Sequence, residues 1–333
     1  MSNADSQDQS ACSQQWLEDL RALKRRNWRA WCLVSLFQAF ARLGHRPRQW
    51  LGAVLGTIAP LLVRRRTRIV ERNLQLCFPD KSASERRSMM RAHFRSLTQT
   101  IIDRSVLWFG TPEDIRDLVS LEGLEHVRHA QQEKHNIMLL APHFVGLDAS
   151  ASRLTLEGPQ GASIYAAQSD PDVDALVRLG RGRFHQVHLI SRREGVRGLI
   201  RKIREGVPIY YLPDMDLGRR GAVFAPFFGI EAATQTATAQ LARQFNMQVF
   251  PVLSFRDPDT GRYLTRVLPP LTDFPGSTTT VEQDTCALNR HIQDWIEQAP
   301  EQYYWVHRRF KSRPPGQDSL YRQNHTNRKQ TPS

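Results

Sequence analysis

Polar and apolar positions along this chain fall into two regimes, with the change near residue 119. Before it the spacing is helical. The runs "AWCLVSLFQAFARL" (30–43) and "WLGAVLGTIAPLLV" (50–63) are densely apolar, and each reads as a helix. "DKSASERRSMMRAHFRSLTQTIIDRSVLWF" (80–109) opens on a turn signal. Its "SASE" can act as a capping box, in which Ser82 and Glu85 satisfy each other's free backbone N–H groups, and apolar residues then recur at helical intervals. After 119, short apolar runs alternate with helical patterns. Strands are predicted at 136–140, 162–167, 185–190, 207–212, 249–255 and 263–268, and helices at 146–156, 172–183, 194–205, 234–245 and 281–298. Such alternation predicts an α/β fold, an open and largely parallel sheet with helices on both faces. In sheets of that kind the ligand site gathers at the carboxyl ends of the strands. The chain is therefore divided into a polar tail (1–15), an N-terminal helical region (16–63), an α/β domain (64–315) and a polar C-terminal tail (316–333).

Charge sharpens this picture. With 46 Lys and Arg against 33 Asp and Glu, the formal net charge is +13, which points to an anionic partner: a membrane surface, an acidic protein, a phosphorylated substrate or nucleic acid. Neither N-terminal apolar run reaches the ~18–20 residues that span a bilayer. Both are bracketed by arginines, in "GHRPR" between them and "RRRTR" (64–68) after them. Apolar helices flanked by cations suit a lipid interface facing phosphate headgroups, so this region is expected to act as a membrane anchor. The four cysteines have neither metal-type spacing nor a compact disulfide pattern, as expected of thiols in a reducing compartment.

Three stretches carry candidate chemistry. In "APHFVGLD" (141–148), His143 follows a buried-looking strand and Asp148 falls in the first turns of the next helix. A carboxylate near Nδ1 would fix the imidazole's tautomer and stabilise the imidazolium formed when Nε2 takes a proton. A surface turn with two polar residues is the plain alternative. In "YYLPDMDLG" (210–218), Asp214 and Asp216 end another strand, either supporting a basic group or forming a turn. In "RLGRGRFHQ" (178–186), Arg178, Arg181 and Arg183 could clamp a phosphate or carbonyl oxygen through forked donors, or be a solvated helix end.

Taken in order, "RRTRIVERNLQLCFPD" (65–80), "APHFVGLD", "YYLPDMDLG" with "VFAPFFG" (223–229), and "APEQYYWVHRRFKSRP" (299–314) resemble the late acyltransferases of lipid A biosynthesis, the lauroyl/myristoyl transferase group. The resemblance covers nearly the whole chain, from about 30 to 315. It implies a fold similar to that of the glycerol-3-phosphate acyltransferases, and an enzyme of the cytoplasmic face of the bacterial inner membrane. Such an enzyme moves a fatty acyl chain from acyl carrier protein to a hydroxyl of a lipid A precursor, without a cofactor and without nucleic acid as a partner. By resemblance the base falls on His143, its acid partner on Asp148, the "GRxR" arginine on Arg181 and the first "PDxD" aspartate on Asp214. His307, Arg308, Arg309 and Lys311 match the family's "HRRFK" without an assigned role. Two positions depart from the family pattern. Asp148 stands where close relatives have Glu, and "IYAAQSDPDVD" (164–174) has Ala166 in place of arginine and Ser169-Asp170 in place of Asp-Asn, which bears on the acceptor and chain length.

The expected mechanism is direct attack of a His143-deprotonated alkoxide on the acyl thioester, with the oxyanion met by Arg181 or by backbone N–H groups. The rival readings are an acyltransferase for a glycerophospholipid or amino-acid lipid, and, less favoured, a basic nucleic-acid-binding protein, which the absence of a groove-reading or stacking motif disfavours.

Overall fold

The alternation after residue 119 folds into a seven-stranded mixed sheet, in a computed structural model that describes residues 3–184, 187–192 and 195–321. Helices α1 (Asn3–Arg26), α2 (Trp28–Arg42), α3 (His45–Leu62) and α4 (Arg64–Cys77) lead into the long α5 (Ala83–Phe109) and short α6 (Pro112–Leu118). There follow β1 (Val119–Glu122), α7 (Leu124–Gln132), β2 (Asn136–Leu140), α8 (Leu147–Glu157), β3 (Gly161–Tyr165), α9 (Pro171–Arg181), β4 (Val187–Ser191), α10 (Val196–Arg204) and β5 (Ile209–Tyr211). The chain then forms β6 (Ala222–Phe227), β7 (Ile230–Gln235), α11 (Ala237–Gln244), β8 (Met247–Arg256), β9 (Tyr263–Val267) and α12 (Val281–Gln298).

The sheet order is β1-β9-β8-β2-β5-β3-β4. All pairs are parallel except β8 with β9. "NIMLL" is apolar throughout because β2 is central and covered on both sides: Met138 and Leu140 join one buried cluster, Ile137 and Leu139 another. The capping box at Ser82 and Glu85 forms as expected and starts α5.

Several sequence-based boundaries shift. A strand at β1 and the antiparallel hairpin β6–β7 were not predicted, and β7 takes Thr234 and Gln235 from the helix expected at 234–245. Small residues at Ala225, Ala232 and Ala233 dilute the apolar signal of the hairpin. Residues 185–186 of the strand expected at 185–190, and residue 194 of the helix expected at 194–205, lie outside the described residues. So do 322–333 of the expected C-terminal tail. Its first part is docked rather than loose: Tyr321 Oη donates to Asn73 Oδ1 at 2.6 Å, and Arg72 Nε donates to the Leu320 carbonyl at 2.8 Å.

The N-terminal helices lie against α5 and α9. Buried Arg48 of α3 pairs with buried Asp103 of α5 at 3.8 Å. Gln99 and Tyr263 also donate to that carboxylate, at 3.0 and 2.9 Å. None of the described helices is long and apolar enough to cross a membrane.

Candidate active site

Two neighbouring parallel strands deliver the histidine and a carboxylate. In the β2–β5 register Leu140 lies opposite Tyr211, and His143 and Asp214 each follow three residues later. The two loops leaving the sheet therefore run side by side. His143 Nδ1 lies 2.5 Å from Asp214 Oδ1, and the His143 backbone N–H donates to Oδ2 at 2.9 Å. Asp214 is buried, and the Tyr303 hydroxyl donates to it as well. Burial alone would raise the Asp214 carboxyl, but the His143 ring and these hydrogen bonds outweigh it and hold the group down at about 2. This network assigns the Nδ1–H tautomer to His143 and leaves Nε2 as the basic nitrogen.

The C-terminal segment fixes the loop that carries His143. The Tyr304 N–H donates to the His143 carbonyl and the Val145 N–H donates to the Gln302 carbonyl, both at 2.8 Å. Gly146, inside the motif, has no room for a side chain: a Cβ there would sit 2.6 Å from the Ser254 carbonyl oxygen of β8.

Asp148 is not the partner of His143, which corrects the sequence reading. It stands in the first turn of α8, buried, with both oxygens taken by arginines. Arg181 Nε donates to Oδ1 at 2.8 Å and Arg104 Nε to Oδ2 at 2.6 Å. Burial would raise this carboxyl too, but the two guanidinium groups hold it well below the usual carboxylate range. Arg181 ends α9, which can approach α5 closely because residue 180 is glycine; a Cβ there would lie 2.3 Å from the Trp108 ring. The other two arginines of the expected clamp do not join it. Arg178 is exposed, while Arg183 lies over the Trp16 ring of α1 at 5.4 Å. Burial pulls the Arg183 guanidinium down to about 10.

Asp216 and the C-terminal "HRRFK" hold the frame together. Asp216 accepts from the Ser312 N–H and hydroxyl at 2.6 and 2.9 Å, and its own N–H donates to His307 Nε2 at 3.0 Å. Burial first, then the nearby charges of His143 and Arg309, push the His307 imidazole down to about 4. Arg309 is buried and donates to the Ala233 carbonyl and Thr234 hydroxyl of β7, at 3.0 and 2.8 Å. Arg308 lies over the Tyr321 ring, and Lys311 Nζ sits 4.0 Å from Asp216 Oδ1. Of the positions that depart from the family pattern, Ala166 lines the cavity described next. Asp170 caps α9, accepting from the Asp172 and Val173 N–H groups, and pairs with Arg29 at 2.9 Å.

A cavity of about 420 Å³ opens beside His143. Its walls are mostly apolar, including Leu97, Ile101, Trp108, Val127, Leu139 and Leu154, while Asp148, Arg104 and Arg181 supply the charged groups and His143 the imidazole, beside several hydroxyl side chains. Arg104 was not singled out in the sequence. The legible signal was an arginine within the stripe Leu97, Ile101, Arg104, Trp108 of a predicted helix, a charge on a face that otherwise reads as buried. Tyr303 and Gln302 had no such signal, since they act through the sheet-end geometry.

A histidine base with a buried carboxylate at Nδ1, opening on an apolar cavity with guanidinium groups in its wall, can deprotonate a hydroxyl beside an acyl chain. Comparison with known proteins gives the family. Residues 18–312 match the bacterial lipid A biosynthesis acyltransferase family. The chain is 35% identical to the lipid A biosynthesis lauroyltransferase of Escherichia coli over 90% of its length and 96% of the relative's. It is 32% identical to the palmitoleoyltransferase of the same organism, with the same coverage, and 29% identical to its myristoyltransferase, over 89% and 91% of the two chains. The chain belongs to the bacterial lipid A biosynthesis acyltransferases.

Proposed function

We propose that this acyltransferase moves a fatty acyl chain from acyl carrier protein to a hydroxyl of a lipid A precursor, with His143 as general base and Asp214 as the carboxylate that orients it. One observation carries the reading: the His143 Nδ1–Asp214 contact at 2.5 Å in a ring that also lines the apolar cavity. His143 Nε2 takes the acceptor's hydroxyl proton while Nδ1–H stays bonded to Asp214, which stabilises the imidazolium. The alkoxide oxygen forms a bond to the thioester carbonyl carbon. The resulting oxyanion is met by backbone N–H groups, in the field of the positively charged cavity wall. Collapse of this intermediate breaks the C–S bond, and the imidazolium returns its proton to the departing thiolate. The acyl chain occupies the apolar part of the cavity.

The membrane and the donor enter through the surface. Trp28, Trp50, Leu61 and Leu62 are between 68% and 76% exposed on α2 and α3, and Arg64, Arg65 and Arg68 are exposed just beyond. Such a face suits burial in the headgroup layer of an anionic inner membrane from the cytoplasmic side, lying on the bilayer rather than through it. The surplus of basic side chains elsewhere suits an acidic carrier protein.

The test is to supply purified protein with labelled acyl carrier protein and either a lipid A precursor or glycerol 3-phosphate and its monoacyl form. Label is expected in the glycolipid. Label in the glycerol phosphates alone would replace the acceptor, and no transfer from acyl carrier protein to any lipid would remove the donor.

A further inference from the structure

Asp148 holds two guanidinium groups where one would balance its charge. Both reach it through Nε, and among the described residues neither donates to it from a terminal nitrogen. Arg104 makes no other hydrogen bond among the described residues. Asp148 is the only acidic side chain lining the cavity among those residues, so the triad leaves a surplus of one positive charge in the wall that His143 shares. Neither arginine is withdrawn from solvent, with 33% of the Arg104 side chain and 30% of that of Arg181 exposed. Arg104 is braced from one side by Trp108, whose ring centroid lies 5.9 Å from Cζ. The indole N–H of that Trp108 is buried with no acceptor among the described residues. Donors and positive charge thus exceed acceptors and negative charge around Arg104.

The geometry points to Arg104 and Arg181 as a two-armed binding site for a phosphate group, with Asp148 the brace that spaces the arms. A forked guanidinium matches the edge of a tetrahedral phosphate, and two of them match its charge. The oxyanion of acyl transfer carries a single charge on a single oxygen and needs only one arm. The inference rests on the acyl-transfer reading for its substrates but not for its residues. In that reaction the phosphate comes either from the glycolipid acceptor or from the phosphopantetheine arm of the donor.

Two measurements test it. In the first, Arg104→Met and Arg104→Lys are compared with wild type in initial-rate assays against both substrates, with the glycolipid used before and after phosphatase treatment. Arg104→Met is expected to raise KM for the phosphorylated acceptor tenfold or more, with kcat within about twofold, and to leave KM for the dephosphorylated acceptor at the wild-type value. A rise in the donor's KM instead keeps the site and assigns it to the phosphopantetheine arm. A fall confined to kcat, with both KM values unchanged, overturns the phosphate site. Arg104→Lys keeps the charge and loses the fork, so a several-fold rise in the same KM serves as the reading if the methionine variant does not fold.

The second measurement needs no turnover. The 31P line of inorganic phosphate is expected to broaden with wild type and to sharpen with Arg104→Met. Broadening that Arg104→Met abolishes, in a protein that transfers no acyl group, keeps the site and removes the proposed reaction. An unbroadened line with wild-type protein overturns the site whatever the activity.

Discussion

Asp214 and Asp148 are two buried aspartates at the carboxyl edge of one sheet, both held below the usual carboxylate range, and yet they are built for different work. The cation beside Asp214 is an imidazole, which can gain and lose a proton; those beside Asp148 are guanidinium groups, which stay charged at any working pH. A carboxylate paired with a titratable base stabilises a charge that appears during the reaction. One paired with permanent charges fixes geometry. Burial and depressed acidity alone do not tell these roles apart; the partner does.

That contrast is broken most severely at its first member. His143→Ala is expected to lower kcat by about 10³–10⁴-fold, the scale of losing a general base, without change in the far-ultraviolet circular dichroism spectrum. Retention of a tenth of the wild-type rate would take proton transfer away from His143. Next comes Asp214→Asn, expected to cost about 10³-fold because an amide cannot stabilise the imidazolium and favours the wrong tautomer. It should also displace the acid limb of the kcat/KM profile against pH. Asp148→Asn is expected to cost about 10²-fold through loosening of Arg104 and Arg181, with KM rising and the pH limb unmoved. A displaced limb there would return Asp148 to the relay role that the sequence suggested.

The smallest expected effect is on stability. Burial, followed by nearby positive charge at His307, pushes His93 and His307 down to about 4 from 6.5. Their folded values lie below the unfolded ones, so the unfolded chain binds these protons first. Their contribution is complete above about 6.5 and is lost as pH falls towards 4, whereas Asp148 and Asp214 begin to lose theirs only below about 3.8. Urea unfolding at pH 7 and pH 5.5 is expected to differ by about 1 kcal/mol for each histidine. His93→Gln, which keeps a donor for the Glu301 carbonyl now bonded to Nδ1 at 3.0 Å, should remove roughly half of the slope. An unchanged slope would mean that His93 is not held neutral.

The elements were largely legible because each carries its own period. Residues 281–298 form the helix expected there, and "NIMLL" is the strand expected at 136–140. Four of the residues gathered at the site were also named, His143, Asp148, Arg181 and Asp214, while Arg104, Gln302 and Tyr303 were not. Their pairing was not legible from one stretch at a time. His143 and Asp148 are close in sequence and suggested a dyad, while the contact that forms spans 71 residues and depends on β2 lying beside β5. Aligning the ends of the two strands would have found it, because His143 and Asp214 sit at the same offset from paired residues. The N-terminal apolar runs were read correctly as helices, but their apolar density did not distinguish packing on α5 from insertion in a bilayer.

The pairing of His143 and Val145 with residues 302–304 has a consequence for biosynthesis. His143 is synthesised about 160 residues before the stretch that secures its loop. A nascent chain that ends between Asp214 and residue 302 carries both side chains but lacks the strap on the His143 loop. On the proposed mechanism the base is secured only once residue 304 has been made, and products truncated before it are expected to be silent.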